Sequence, residues 1–172
     1  TRLHDAIASG LASLRAQGEG SKRLIVVSDG KDEGSKLSAD ALAVARLNVE
    51  RHDLGDRITL LQGDGLAAVA GQRYDAILCN PPYVNSESMA ALPAEYRAEP
   101  ELALAGGADG MDFIRALIDS AAQHMTAHAV LVLEIGHEAK HFEAAFPELE
   151  FAYLPTHETE DQVVLITRQQ LA

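Results

Sequence analysis

Three short, mostly apolar runs, each cut off by polar residues and spaced by stretches of helical periodicity, constrain this chain most. They are Leu24-Ile-Val-Val-Ser28, Tyr74-Asp-Ala-Ile-Leu-Cys79 and Ala129-Val-Leu-Val-Leu-Glu134. Continuous apolar runs of this length fit strands buried on both faces, which is the signature of a parallel sheet covered by helices. The intervening segments supply the helices. Leu3, Ile7, Leu11 and Leu14 share one helical face, and Ser38 is placed to cap a helix reaching about Arg51, with Asp40 in its first turn. Ile114, Leu117, Ile118, Ala121 and Met125 mark another helix, and His137 to Phe146 a short one. Arg57 to Gln62 reads as a further strand. Phe151 to Leu154 and Gln162 to Thr167 read as two closing strands joined without a helix, hence an antiparallel addition at the end of the sheet. Residues 1–172 are expected to form one α/β domain, a length sufficient for a full core.

Charge and cysteine use narrow the function classes. The formal net charge is -12, the opposite of what a phosphate-binding surface needs, so nucleic acid is not expected as a partner. An acidic surface suits a basic protein instead. The single cysteine, Cys79, cannot form an internal disulfide, which fits a reducing cytoplasm. No apolar run approaches the roughly 20 residues of a membrane span, and no signal-peptide pattern precedes the first helix. A cytoplasmic domain without membrane contact is expected.

The residues that carry chemistry follow the second apolar run directly. Asn80-Pro81-Pro82-Tyr83 would leave the carboxyl end of a strand, where open α/β sheets bind their ligands. Two successive prolines fix φ and remove two backbone donors, leaving carbonyl groups as acceptors. Asn80 adds a side-chain carbonyl. Such acceptors suit a planar NH₂ group, gripping its hydrogens and directing the nitrogen lone pair, while Tyr83 stacks on the flat face. That is catalysis by positioning and electrostatics. A Pro-Pro turn ending a strand is the purely structural alternative. The irregular stretch from Asn80 to Asp109 far exceeds the usual connection of about 4–6 residues, which favours a functional loop.

Further segments single out a family. Asn80-Pro-Pro-Tyr-Val84, Leu92-Pro-Ala-Glu-Tyr-Arg97, Glu99-Pro-Glu-Leu-Ala-Leu104, Asp109-Gly110, Leu133-Glu134-Ile-Gly136 and the ending Val164 to Leu171 resemble the bacterial protein-glutamine methyltransferases, in the branch that modifies a ribosomal protein. The resemblance covers residues 37–172. It implies a Rossmann-like methyltransferase sheet, mostly parallel with an antiparallel C-terminal strand, and S-adenosylmethionine as methyl donor. It also implies a glutamine side chain of a ribosomal protein as acceptor. Asn80 would hold the glutamine amide beside the donor, with Pro81, Pro82 and Tyr83 completing the catalytic loop, and Asp64 would lie near the adenine. The same four residues also resemble the signature of DNA adenine amino-group methyltransferases, against which the acidic charge weighs.

The chain departs from that family before Leu37. The family's first strand, its glycine-rich cofactor loop and its leading helical substrate domain are not legible here. No G-x-G follows the Leu24 to Ser28 strand, Gly63-Asp64-Gly65 comes after the later strand expected at 57–62, and Lys36 stands where the ribose-binding acid is expected. Donor binding is therefore expected to be weak. Residues 1–36 resemble a fragment of a von Willebrand factor A domain, through Thr1-Arg-Leu-His-Asp-Ala-Ile7 and the Leu24 to Gly30 segment. The two resemblances meeting near Leu37 imply a chimera. In the von Willebrand family the threonine and an aspartate such as Asp29 help bind a divalent cation, but the first motif of that site is absent. Asp29, Asp32 and Glu33 are expected to form a solvated acidic loop, with no metal.

The remaining candidates read plainly. His137 and His141 are four apart and are expected to be solvated, with no acid nearby to complete a metal set. Glu134 is either structural or a cofactor contact. Gly106-Gly107 and Asp109-Gly110 are expected to be turn residues. Catalysis impaired by the missing loop is weighed against an inert chimeric fold. Leu24 to Ser28 is expected to close the gap by pairing directly with Ala76 to Cys79, lying inside the sheet. The helix at 3–16 would cover the bare face, as a monomer in preference to a strand-exchanged dimer.

Overall fold

The computed structural model describes residues 23–28, 36–91, 104–157 and 159–172. They form a five-stranded sheet in the order β1-β2-β3-β5-β4. The strands are β1 (Leu24–Ser28), β2 (Tyr74–Asn80), β3 (Met125–Glu134), β4 (Ala152–Tyr153) and β5 (Val163–Thr167). β1, β2 and β3 are mutually parallel; β5 runs antiparallel to β3 and to β4. The helices are α1 (Lys36–Arg51), α2 (Ser86–Ala91), α3 (Asp112–Ala121) and α4 (Ala139–Ala145), and a 3₁₀ turn spans Gly65–Val69. The expected α/β fold with an antiparallel closing unit is the one observed.

Side-chain burial follows the physics of each segment. Ala76, Ile77, Leu78 and Cys79 of β2, and Val130 to Leu133 of β3, are all buried, as parallel strands covered on both faces require. α3 is amphipathic and buries Ile114, Leu117 and Ala121. α4 contributes one core residue, Phe142, which is tilted against Phe146 and meets Phe151 edge-on, both with ring centroids 5.1 Å apart. These contacts seal the β3–β5 side.

Four expectations are corrected. Residues 57–62 are irregular rather than a strand, and Ile58 and Leu61 are 40% and 54% exposed. An apolar run becomes a strand only where a neighbour offers its free backbone edge. The described sheet offers the outer edge of β1, and residues 57–62 do not occupy it. β1 does pair directly with β2, Leu24 opposite Ala76 through Ser28 opposite Asn80. Among the described residues, however, it is the first strand in the order and not an interior one, and Val26 is 46% exposed. α1 starts at Lys36, two residues ahead of the Ser38 cap, within the usual fraying of helix ends. β3 begins at Met125, because a register shift between Tyr74 and Ala76 lets polar Thr126 join the strand and donate to Asp75 Oδ1 at 2.8 Å. The expected helix at 3–16 and the acids Asp29, Asp32 and Glu33 lie outside the described residues.

Candidate active site

The register brings the carboxyl ends of the parallel strands together. Ser28 of β1 is opposite Asn80 of β2, and Cys79 is opposite Leu133, one residue before Glu134. Asn80 ends its strand half-buried, and Pro81 and Pro82 are buried behind it. Tyr83, next along, donates its hydroxyl to Glu134 Oε1 at 3.2 Å. Glu134 thus has a definite structural role: it closes β3 and orients the tyrosine. Cys79 takes no chemical part, since burial pushes its thiol far up and keeps it protonated at neutral pH.

The loop beyond Tyr83 is anchored on two sides. The Val84 N–H donates to the Leu104 carbonyl at 2.8 Å, and the Gly106 N–H returns to the Val84 carbonyl at 2.9 Å. Gly110, at φ +80°, lies where a Cβ would overlap the Tyr83 carbonyl. Gly136, at φ +55°, lies where one would overlap the Tyr83 ring. Both positions need glycine twice over, for the left-handed backbone and for the close approach. The glycines first read as turn residues therefore also mould the loop.

On the other side, the Asn85 amide donates from Nδ2 to both carboxylate oxygens of Glu138, each at 2.8 Å. Asn85 Oδ1 accepts from the Ser88 N–H at 2.8 Å and so caps α2. Glu138 Oε2 also accepts from His141 Nδ1 at 2.6 Å. The expectation that no acid lies near His141 is thereby corrected. Glu138 stands between the two histidines in the sequence, three residues before His141, so helical spacing already offered this pair. His137 contacts the buried Gln162, Nδ1 to Nε2 at 2.7 Å. Among the described residues no group of three or more His, Cys, Asp or Glu is placed to hold a metal.

Asp64 stands apart from this loop. It is exposed at the head of the 3₁₀ turn and makes no side-chain capping bond. The turn itself is seated by buried Leu66 and Val69, with Gly65 against the Phe113 ring of α3. The structure thus joins Tyr83 to Glu134 and aligns Asn80 with β1, but leaves Asp64 without a described tie to Asn80. Asn85 and Glu138 escaped the sequence reading, and Gly136 entered it only within the segment Leu133 to Gly136, without its contact to Tyr83. The signal available for Asn85 was its place two residues after Tyr83, where an Asx cap starts a helix.

The turn facing Tyr83 is fastened by Asp109. Its carboxylate receives both terminal nitrogens of Arg115 and the Met111 N–H. The Arg115 bonds hold the carboxyl down at about 2, below its ordinary 3.8. A depressed folded-state value means that the stabilisation is complete above about pH 4 and disappears as pH falls toward 2. Because both groups are partly exposed, the expected loss for Asp109→Asn at neutral pH is only about 0.5–1 kcal/mol. Urea midpoints of parent and variant should differ at pH 7 and converge near pH 2; a difference that widens in acid would contradict this.

A parallel sheet with an Asn-Pro-Pro-Tyr loop at its carboxyl ends defines the Rossmann-like methyltransferase fold. Residues 23–95 match the family described as the methyltransferase small domain, a match that takes in β1. Two solved structures share the fold at 15% identity. A methyltransferase from Pyrococcus furiosus has a TM-score of 0.57, with 95% of this chain and 82% of that one covered. The 16S rRNA N2 G1207 methyltransferase of T. thermophilus, in complex with AdoMet and guanosine, has a TM-score of 0.52, with 95% and 42% covered. More particularly, the chain is similar to curated ribosomal protein uL3 glutamine methyltransferases. It is 57% identical over 135 residues to the ribosomal protein uL3 glutamine methyltransferase of Bordetella pertussis, covering 78% of this chain and 45% of the relative. The corresponding protein of Burkholderia pseudomallei is 51% identical over 142 residues, covering 78% and 46%. The chain thus spans less than half the length of these curated relatives.

Proposed function

We propose that this chain is an S-adenosylmethionine-dependent methyltransferase domain acting on the side-chain amide of a glutamine in a ribosomal protein. The observation that carries this reading is the Asn80–Tyr83 loop, seated at the carboxyl ends of β1 and β2 within a stretch 57% identical to a uL3 glutamine methyltransferase. Asn80 Oδ1 and the Pro81 carbonyl accept from the two amide hydrogens, and the Tyr83 ring covers the flat face of the acceptor. This orients a nitrogen whose lone pair is otherwise withdrawn into its own carbonyl. A bound donor supplies an electrophilic methyl group, and the amide gives up one proton.

In this reading Asp64 takes the adenosine end of such a donor. Asp64 presents an exposed carboxylate not spent on its turn, and the end of β1 adjoins Asn80. The sequence of residues 29–35 carries no G-x-G pattern, so the donor is held weakly. The acidic charge of -12 favours a basic protein acceptor over nucleic acid. No helix among the described residues is long and apolar enough to cross a membrane, and a cytoplasmic monomer is the form proposed. Residues 1–36, the von Willebrand-like segment, and residues 37–172 are proposed to act as one chimeric domain. The exposed Val26, Ile58 and Leu61 favour a second reading, an incomplete and inactive fold.

The deciding experiment combines calorimetry and radiolabel transfer. S-adenosylmethionine should bind at least about a hundredfold more weakly than to an intact relative, equivalent to roughly 2.7 kcal/mol. Label should enter a glutamine amide of a ribosomal protein, and Asn80→Ala should lower that rate about a hundredfold. Equal rates in variant and parent, or preferred labelling of DNA, would overturn the assignment. No label transfer at any donor concentration would favour the inactive reading.

A further inference from the structure

We propose that Glu138 is a positioning residue that sets the amide-gripping loop through Asn85. The proposal rests on the amide-methylation reading and adds to it a residue outside the Asn80–Tyr83 motif. Pro81 and Pro82 lack N–H donors, so the two residues after Asn80 offer no backbone donor to tie the loop down. Its anchors come afterwards, at Tyr83, Val84 and Asn85. The Asn85–Glu138 contact is the most buried of them, with the two residues 7% and 6% exposed. A carboxylate is costly in such a place unless its oxygens are hydrogen-bonded, and packing alone would be served better by an apolar side chain. Here both oxygens engage the Asn85 amide, and one also takes His141.

The carboxylate ties the residue that caps α2 to α4. Asn85 holds the first turn of α2 through Ser88, and Glu138 opens α4 through the Phe142 N–H, which donates to its carbonyl at 2.9 Å. Two residues before Glu138, Gly136 receives the Tyr83 ring. The corner between β3 and α4 therefore holds the loop at both Tyr83 and Asn85. Asn80 lies five residues upstream of Asn85 across a stiff Pro-Pro unit, so a displaced Asn85 passes its shift to the gripping acceptors. A misplacement of about 1 Å in such a group costs on the order of a hundredfold in rate.

The test uses the whole 172-residue chain and two variants, Glu138→Ala and Glu138→Gln. Glutamine keeps one acceptor oxygen for Asn85; alanine keeps none. Native-state amide exchange is read at Ser88, Gly106 and Phe142, with the global unfolding free energy measured on the same samples. In Glu138→Ala, protection at Ser88 and Gly106 should fall about tenfold or more beyond any global change, and Glu138→Gln should recover most of it. Where the parent transfers methyl groups, kcat should follow the exchange order, parent above glutamine above alanine, with KM for the acceptor nearly constant. Unchanged exchange at Ser88 and Gly106, with only Phe142 deprotected, would overturn the proposal. Losses that match the fall in global stability equally in both variants would overturn it too. An inactive parent would instead overturn the amide-methylation reading, while the exchange data still decide whether Glu138 sets the loop.

Discussion

Replacing Phe142 with alanine is expected to destabilise the chain by about 3–5 kcal/mol, the range for deleting a fully buried aromatic ring. Phe142 is fully buried. It is the one residue of α4 that enters the core deeply, and it carries the contacts to Phe146 and Phe151. Edge-to-face and tilted ring pairs add about 0.5–1.5 kcal/mol beyond the area they bury. A seven-residue helix holds itself weakly, so α4 depends on this anchor for its place on the core. Since small domains hold only about 5–15 kcal/mol in total, the variant should unfold at a much lower urea concentration. Phe142→Leu, which keeps most of the volume, should recover more than half of the loss. A midpoint for Phe142→Ala within error of the parent would show that α4 does not contribute to the cooperative core.

Gly136→Ala is expected to be nearly as damaging, for a different reason. The residue sits at φ +55°, a left-handed conformation that costs a residue with a Cβ about 1–2 kcal/mol. The added methyl would also overlap the Tyr83 ring. Forcing an extra carbon into a packed site costs a further 1–3 kcal/mol, roughly. The ring must move, and with it goes the hydroxyl bond to Glu134. Both stability and any methyl transfer should therefore fall. The two causes separate in a double-mutant cycle with Tyr83→Ala, which removes the overlapped ring but leaves the backbone strain. If the steric account holds, Gly136→Ala should cost about 1–3 kcal/mol less in the Tyr83→Ala background than alone. Equal costs in both backgrounds would assign the whole effect to backbone strain.

Much of the fold was legible because burial is written into local composition. β1, β2 and β3 appear as apolar runs whose side chains need cover on both faces, and α3 as an amphipathic repeat. The pairing of β1 with β2 followed from the cost of leaving backbone groups unpaired inside a sheet. The same argument placed β1 between two strands, and there it failed. Residues 57–62 have strand composition, yet they take up no sheet edge, the outer edge of β1 included, and stay irregular.

What the sequence by itself determined was the α/β class, the apolar strands and the position of Asn80-Pro-Pro-Tyr83 at a strand's carboxyl end. These depend on hydrophobic periodicity and on residues adjacent in the chain, so no distant contact is needed to read them. Only the tertiary structure decided that Tyr83 rests on Gly136 and bonds Glu134, and that Asn85 meets Glu138. Those partners lie about fifty residues apart, Tyr83 51 residues from Glu134 and Asn85 53 from Glu138. Hydrogen bonds between buried side chains carry no periodic signature in sequence. They exist because the parallel pairing of β2 with β3 brings the two carboxyl ends side by side and turns both following loops to the same edge.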